Sequence, residues 1–149
     1  MSSMKKKLVT LSTILAFTLP AAVPVTTDAA SPEKAPIEIK VRVSEKGFFD
    51  QKGKAYNSKN MLKIASGTPV TITFMFAEDF TSLAVGDTHQ MALLSEDGGK
   101  LETGKIWIMN RQSSLTFLAG ENGRAQYRVY CILDCIGMEH LTNLTIQIV

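Results

Sequence analysis

The stretch "YCILDCIGMEH", from Tyr130 to His140, holds both cysteines of the chain and one of its two histidines. Two thiols, an imidazole and the thioether of Met138 in one short loop could form a disulfide, a zinc clip, a thiol redox couple or a copper site. The other histidine, His89, opens a candidate strand after the polar "AVGDT" loop. In a β-sandwich the loops at one end converge, so a histidine starting one strand can face the loop between two others. Two thiolates and two imidazoles would then meet at one pole. Such donors exclude hard cations such as calcium and magnesium and suit copper or zinc. Zinc would take them as a tetrahedral Cys₂His₂ set.

Each competing use of the loop leaves something over. Cysteines four apart can bridge if their Cα atoms come within reach. So small a ring gains little stability from closure, and a disulfide leaves both histidines without a role. A thiol redox motif has two residues between its cysteines and a thioredoxin-like fold, and the chain has neither. A Cys–His hydrolase would leave the second cysteine unexplained. The phosphate loop with its lysine, the nucleophile elbow and the HExxH zinc motif are all absent. Glu78 beside Asp79, and Asp134 near Glu139, read as solvated loop carboxylates rather than an acid–base pair.

The elements that must position these residues are strands. "IEIKVRV", Ile37 to Val43, alternates apolar and charged residues as a half-buried strand does. The polar region from Ser44 to Asn60 reads as a long loop. "MLKIASGTPVTITFMF" gives a strand, a turn at Gly67 and a β-branched, aromatic strand from Val70 to Phe76. "HQMALL" and "KIWIM" are further strands, and "SSLTFLAGENGRAQYRVYC" places a Gly-rich turn between two more. In the closing "LTNLTIQIV", Leu144, Ile146 and Ile148 share one face. Met75, Met91, Met109 and Trp107 fall in strand patterns and are expected in the core, although an aromatic near the pole could lie on an electron path. No segment sustains a helical period. About seven short strands with turn signals predict an all-β Greek-key sandwich or barrel.

Residues 1–29 read as a secretory signal, with Lys5, Lys6 and Lys7 before an apolar stretch from Leu8 to Leu19 and small residues up to Ala29. The stretch is short for a membrane span of about 20 residues, so membrane attachment is expected only if the signal is retained. No cysteine follows it that could carry a lipid. Residues 30–36 read as a short linker and 37–149 as one domain. The chain carries 16 basic and 14 acidic residues; removing 1–29 takes three lysines and Asp28, leaving 13 of each. A nucleic-acid partner is not expected of so balanced a domain. Export places the protein in the periplasm or another oxidising compartment, where two cysteines tend to pair. Lys46, Lys52, Lys54, Lys59 and Lys63 crowd one loop region, and read as a solvated edge or a docking face for an acidic redox partner.

Two stretches resemble the cupredoxins. "LKIASGTPVTITF", Leu62 to Phe74, resembles their early strand pair, and "LTFLAGENGRAQYRVYC", Leu115 to Cys131, resembles the turn and strand leading into a copper cysteine. Cys131-x3-Cys135 followed by His140, with His89 upstream, looks like the CuA domain of cytochrome c oxidase subunit II and nitrous oxide reductase. The resemblance spans most of 37–149 and implies a cupredoxin-type sandwich that is not an enzyme. It implies two copper ions bridged by Cys131 and Cys135 and capped by His89 and His140, with the Leu133 carbonyl as a weak contact. The chain departs from that family in having four residues rather than three between Cys135 and His140, and Asn143 where a methionine is expected. The weak axial position then falls to Met138 or alternatively to Asn143. The longer spacing also suits a mononuclear site with one copper. The implied role is to pass single electrons between redox protein partners, a cytochrome or a copper enzyme; copper binding and delivery is the alternative.

Overall fold

The computed structural model describes residues 34–84, 88–133 and 141–149. The signal segment, most of the linker, Asp134, Cys135, Met138, Glu139 and His140 lie outside the described residues.

Among the described residues nine strands form two sheets. They are β1 (Ile37–Ser44), β2 (Gly47–Phe49), β3 (Leu62–Ile64), β4 (Pro69–Phe76), β5 (Met91–Ser95), β6 (Lys100–Glu102), β7 (Gln112–Leu118), β8 (Gln126–Cys131) and β9 (Thr145–Ile148), with a short α-helix, α1 (Thr81–Ala84), and a 3-10 turn at Glu121–Gly123. One sheet has the order β2-β1-β4-β7 and the other β3-β9-β8-β5-β6. Within them β1 runs parallel to β4, and β3 parallel to β9. The observed architecture is the expected all-β sandwich of two sheets.

Side-chain alternation sets which face is buried. In β1, Val41 and Val43 are buried while Lys40 and Arg42 face solvent. In β4, Val70, Ile72, Phe74 and Phe76 line the core. A one-residue slip would expose all of them, so register is tightly specified. Outside, Thr71 pairs with Thr116 at 2.9 Å and Thr73 with Ser114 at 2.8 Å through their hydroxyls, in the same register. From the opposing sheet come Met91, Leu93, Tyr127, Val129 and Ile146. Leu144 and Ile146 are fully buried and Ile148 packs against the core, as their shared face predicts. Each such large apolar side chain contributes about 1.5–3 kcal/mol on burial.

Three expectations are corrected. The segment read as a loop, Ser44 to Asn60, contains β2, which pairs with β1. "KIWIM" is not a strand: only Ile106 bridges to His89, and Trp107 to Asn110 form a tight turn closed by two reciprocal backbone bonds of 3.1 and 3.0 Å. Of the residues assigned to the core, Met91 is buried, but Met109 at the turn tip is 87% exposed, Trp107 49% and Met75 36%. An apolar run at a turn has no facing strand to cover it.

Candidate metal centre

His89 lies just ahead of β5, where its backbone is held from both sides. Its N–H donates to the Ile106 carbonyl at 2.8 Å and its carbonyl accepts from Ile106 N–H at 2.7 Å. On the other flank, Ile132 N–H donates to the Gln90 carbonyl at 3.0 Å, tying the start of the cysteine loop to the same stretch. Strand register supplies the rest. Met91 stands opposite Cys131, and His89, two residues before Met91, shares its face. His89 and Cys131 are therefore diagonal neighbours on the core side of the sheet, within reach of one another.

That reach is realised. The imidazole Nδ1 lies 3.9 Å from the Cys131 sulfur. The ring is fully buried, stacked on Phe76 with centroids 5.4 Å apart and met edge-on by Phe80 at 5.5 Å. Phe76 and Phe80 themselves pack edge to face at 4.9 Å. Phe80 is carried by the turn into α1, whose first residue is fixed when Thr81 N–H and its hydroxyl both donate to a Glu45 carboxylate oxygen, at 2.6 and 2.8 Å. An aromatic cage thus fixes the plane of the ring and turns Nδ1 toward the sulfur.

The spacing of the pair is one that a soft metal ion would span if Cys131 were a free thiolate. Typical distances of about 2.0 Å to imidazole and about 2.3 Å to thiolate allow a nitrogen–sulfur separation from about 3.5 Å at a tetrahedral angle to about 4.3 Å in line. The observed 3.9 Å falls inside that range. In the structure Cys131 is disulfide-bonded, and a sulfur in that state is not a thiolate ligand. Among the described residues there is no group of three or more His, Cys, Asp or Glu that could hold a metal; Cys135 and His140 lie outside them. Leu133 is half-buried, packed against the core.

Asn143 has a different place from the axial one considered for it. Its Oδ1 accepts from Phe48 N–H at 3.0 Å, and its amide nitrogen donates to the carbonyls of Phe48 at 3.1 Å and Tyr56 at 2.7 Å. Both ends of the amide are committed to backbone, so the side chain clasps β2 and the following loop to the chain entering β9. Gly47 makes the clasp fit. Its φ is +126°, and a β-carbon there would lie 2.7 Å from Asn143 Oδ1. Sequence reading also missed Phe76 and Phe80 as the cage of His89. The apolar alternation of β4 gave only their burial.

No family model matches the chain, and no curated protein does. Among solved structures it is similar to a chain of a heme-copper terminal oxidase dimer, with 15% identity and a TM-score of 0.48 over 79% of this chain and 66% of that one. It is also similar to reduced rusticyanin, with 12% identity and a TM-score of 0.47 over 81% of this chain and 87% of that one. The chain thus spans just under two thirds of the oxidase chain it matches. At these identities neither neighbour speaks to the site. Among the described residues no helix is long and apolar enough to cross a membrane.

Proposed function

We propose that the protein is an exported copper protein that carries single electrons between redox proteins through a CuA-like site. Cys131, Cys135, His89 and His140 would hold the copper, with Met138 as the favoured further donor. The observation that carries this reading is the approach of a fully buried imidazole nitrogen to the Cys131 sulfur at 3.9 Å. A buried imidazole packed on Phe76 and Phe80, with its Nδ1 turned to the sulfur, supports that reading.

Copper held by thiolates and imidazoles supplies a one-electron couple, because soft sulfur favours Cu(I) while imidazole also accommodates Cu(II). The chain's own contribution is rigidity. His89 is fixed by the Ile106 backbone and the Phe76–Phe80 cage, and Cys131 by the end of β8. Neither ligand needs to move when charge changes. The apolar cage excludes water from the imidazole. Loading requires Cys131 as a thiol, so the disulfide must first take up two electrons and two protons.

The bonded state of Cys131 favours a second reading, in which the cysteines are a structural cross-link of a secreted domain. One experiment separates the two. After treatment with a thiol reductant the protein should bind copper and show strong thiolate-to-copper absorption, lost in Cys131→Ser. A protein that takes up no copper as free thiols, and loses stability on reduction, would be a cross-linked domain.

A further inference from the structure

Residues 46–63 form a lobe joining β2, at one edge of the first sheet, to β3, at one edge of the second. The lobe therefore covers one flank of the sandwich. It carries Lys46, Lys52, Lys54, Lys59 and Lys63 against a single acid, Asp50, a net charge of +4. The remainder of residues 30–149 holds 8 basic and 12 acidic groups, a net of −4. A domain that is neutral as a whole is thus strongly polarised.

The five lysines are all exposed. The two ion pairs among the described residues, Lys100 with Glu102 and Arg124 with Asp97, involve none of them. Their backbone is held in fixed turns. One Asp50 carboxylate oxygen accepts the Lys52 and Lys54 N–H groups, each at 2.9 Å, so it faces its own chain. Asn57 Oδ1 accepts from Lys59 N–H at 2.8 Å and Asn60 N–H at 3.0 Å. Tyr56 is buried beneath, and the Asn143 amide ties it and Phe48 to the chain that runs back from the cysteine loop. Charges presented on a fixed frame recognise a partner with less loss of entropy than charges on a floppy loop.

We propose that this lysine lobe is the docking face for an acidic redox protein. The electron-carrier reading supplies the partner's redox character; the charge of the surface stands without it. β3 lies two strand positions from β8, about 10 Å across the sheet at normal strand spacing, and its Lys63 is level with Gln147 and Gln126 rather than with Cys131, so a partner seated there leaves the His89–Cys131 pair uncovered. A membrane surface is disfavoured because no large apolar residue of the lobe is exposed for insertion: Phe48 and Tyr56 are buried, and the exposed apolar residues all lie elsewhere. The absence of an exposed aromatic for base stacking disfavours single-stranded nucleic acid likewise.

The test uses the full chain, without added copper, and poly-L-glutamate as an acidic-protein mimic, followed by amide NMR at low and raised salt. The expected result is perturbation centred on residues 46–63 that weakens with salt. Binding should fall at least about tenfold in the triple variant Lys52→Gln, Lys54→Gln, Lys59→Gln. It should change little in Lys100→Gln, Lys105→Gln, Arg128→Gln, which removes the same charge elsewhere. Equal losses in both variants, or perturbation away from the lobe, would overturn the proposal. So would lobe-dependent sedimentation with phosphatidylglycerol vesicles in preference to polyglutamate, which would make the face a membrane contact. A protein that binds no copper but passes this test would refute the electron-carrier reading alone.

Discussion

The Nδ1 atom of His89 lies 3.9 Å from the sulfur of Cys131, although 42 residues separate them in the chain. The contact follows from the β5–β8 register, which puts Met91 opposite Cys131 and His89 on the diagonal. It yields the first prediction. His89→Phe places a third phenyl ring against Phe76 and Phe80, at an overpacking cost of about 1–3 kcal/mol. The variant should fold while losing copper affinity at least tenfold. Copper titration against a circular-dichroism control checks this; unchanged affinity would remove His89 from the ligand set.

Phe80 is fully buried and touches both His89 and Phe76. Phe80→Ala should destabilise the domain by about 3–5 kcal/mol, from lost burial and the cavity left behind. Phe80→Leu should cost less and retain the fold. In copper-loaded Phe80→Leu the absorption band should broaden or shift, because the imidazole loses its edge-on neighbour. Denaturant melts and visible spectra report the two effects separately.

Asn143→Ala should separate stability from ligation. It strips the Asn143 partner from the Phe48 N–H and from the Tyr56 carbonyl, while the Phe48 carbonyl keeps the Tyr56 N–H at 3.1 Å. Leaving such groups unpaired costs about 1–3 kcal/mol. The copper spectrum should change little, since the amide is committed to backbone, whereas Met138→Leu should lower the reduction potential. A large spectral change in Asn143→Ala with full stability would restore Asn143 as the axial donor.

The β5–β6 turn makes stability depend on acid. Asp97 is held at about 2, below the ordinary 3.8, first by the Ser95 hydroxyl, then by the Gly99 N–H and Arg124. A carboxyl whose folded value is depressed stabilises the fold above its unfolded value. That contribution is lost as pH falls through the folded one. Asp97→Asn should therefore melt below the parent at neutral pH, with the gap closing between pH 3.8 and about 2. Thermal melts across that range check the sign; a gap that widened in acid would contradict it.

Much of the fold was legible because alternation is local. "IEIKVRV" and "PVTITFMF" declare which residues face inward, and β1 and β4 follow them. "KIWIM" misled because apolar residues behind a lysine look like a strand. Its outcome is set by Asn110, whose backbone closes the turn with Trp107 and whose amide donates to the Lys105 carbonyl at 3.3 Å. That His89 comes near Cys131 was legible in the convergence of loops at one end of a sandwich. The Phe76–Phe80 cage was not, because it depends on packing across the sandwich. The backbone clasp of Asn143 was not legible, because sequence spacing from His140 says nothing about Gly47, whose missing side chain opens the space its amide occupies.

The most direct test is the copper-to-protein ratio of the chain loaded with copper while its cysteines are free thiols, measured together with the EPR spectrum of its oxidised form. Two copper ions per chain are expected, with a hyperfine pattern of one unpaired electron shared by both that is abolished in Cys131→Ser. One copper with the pattern of a single nucleus would contradict the two-thiolate, two-ion site in favour of a mononuclear one. A fully reduced protein that retains no copper would contradict the metal centre itself.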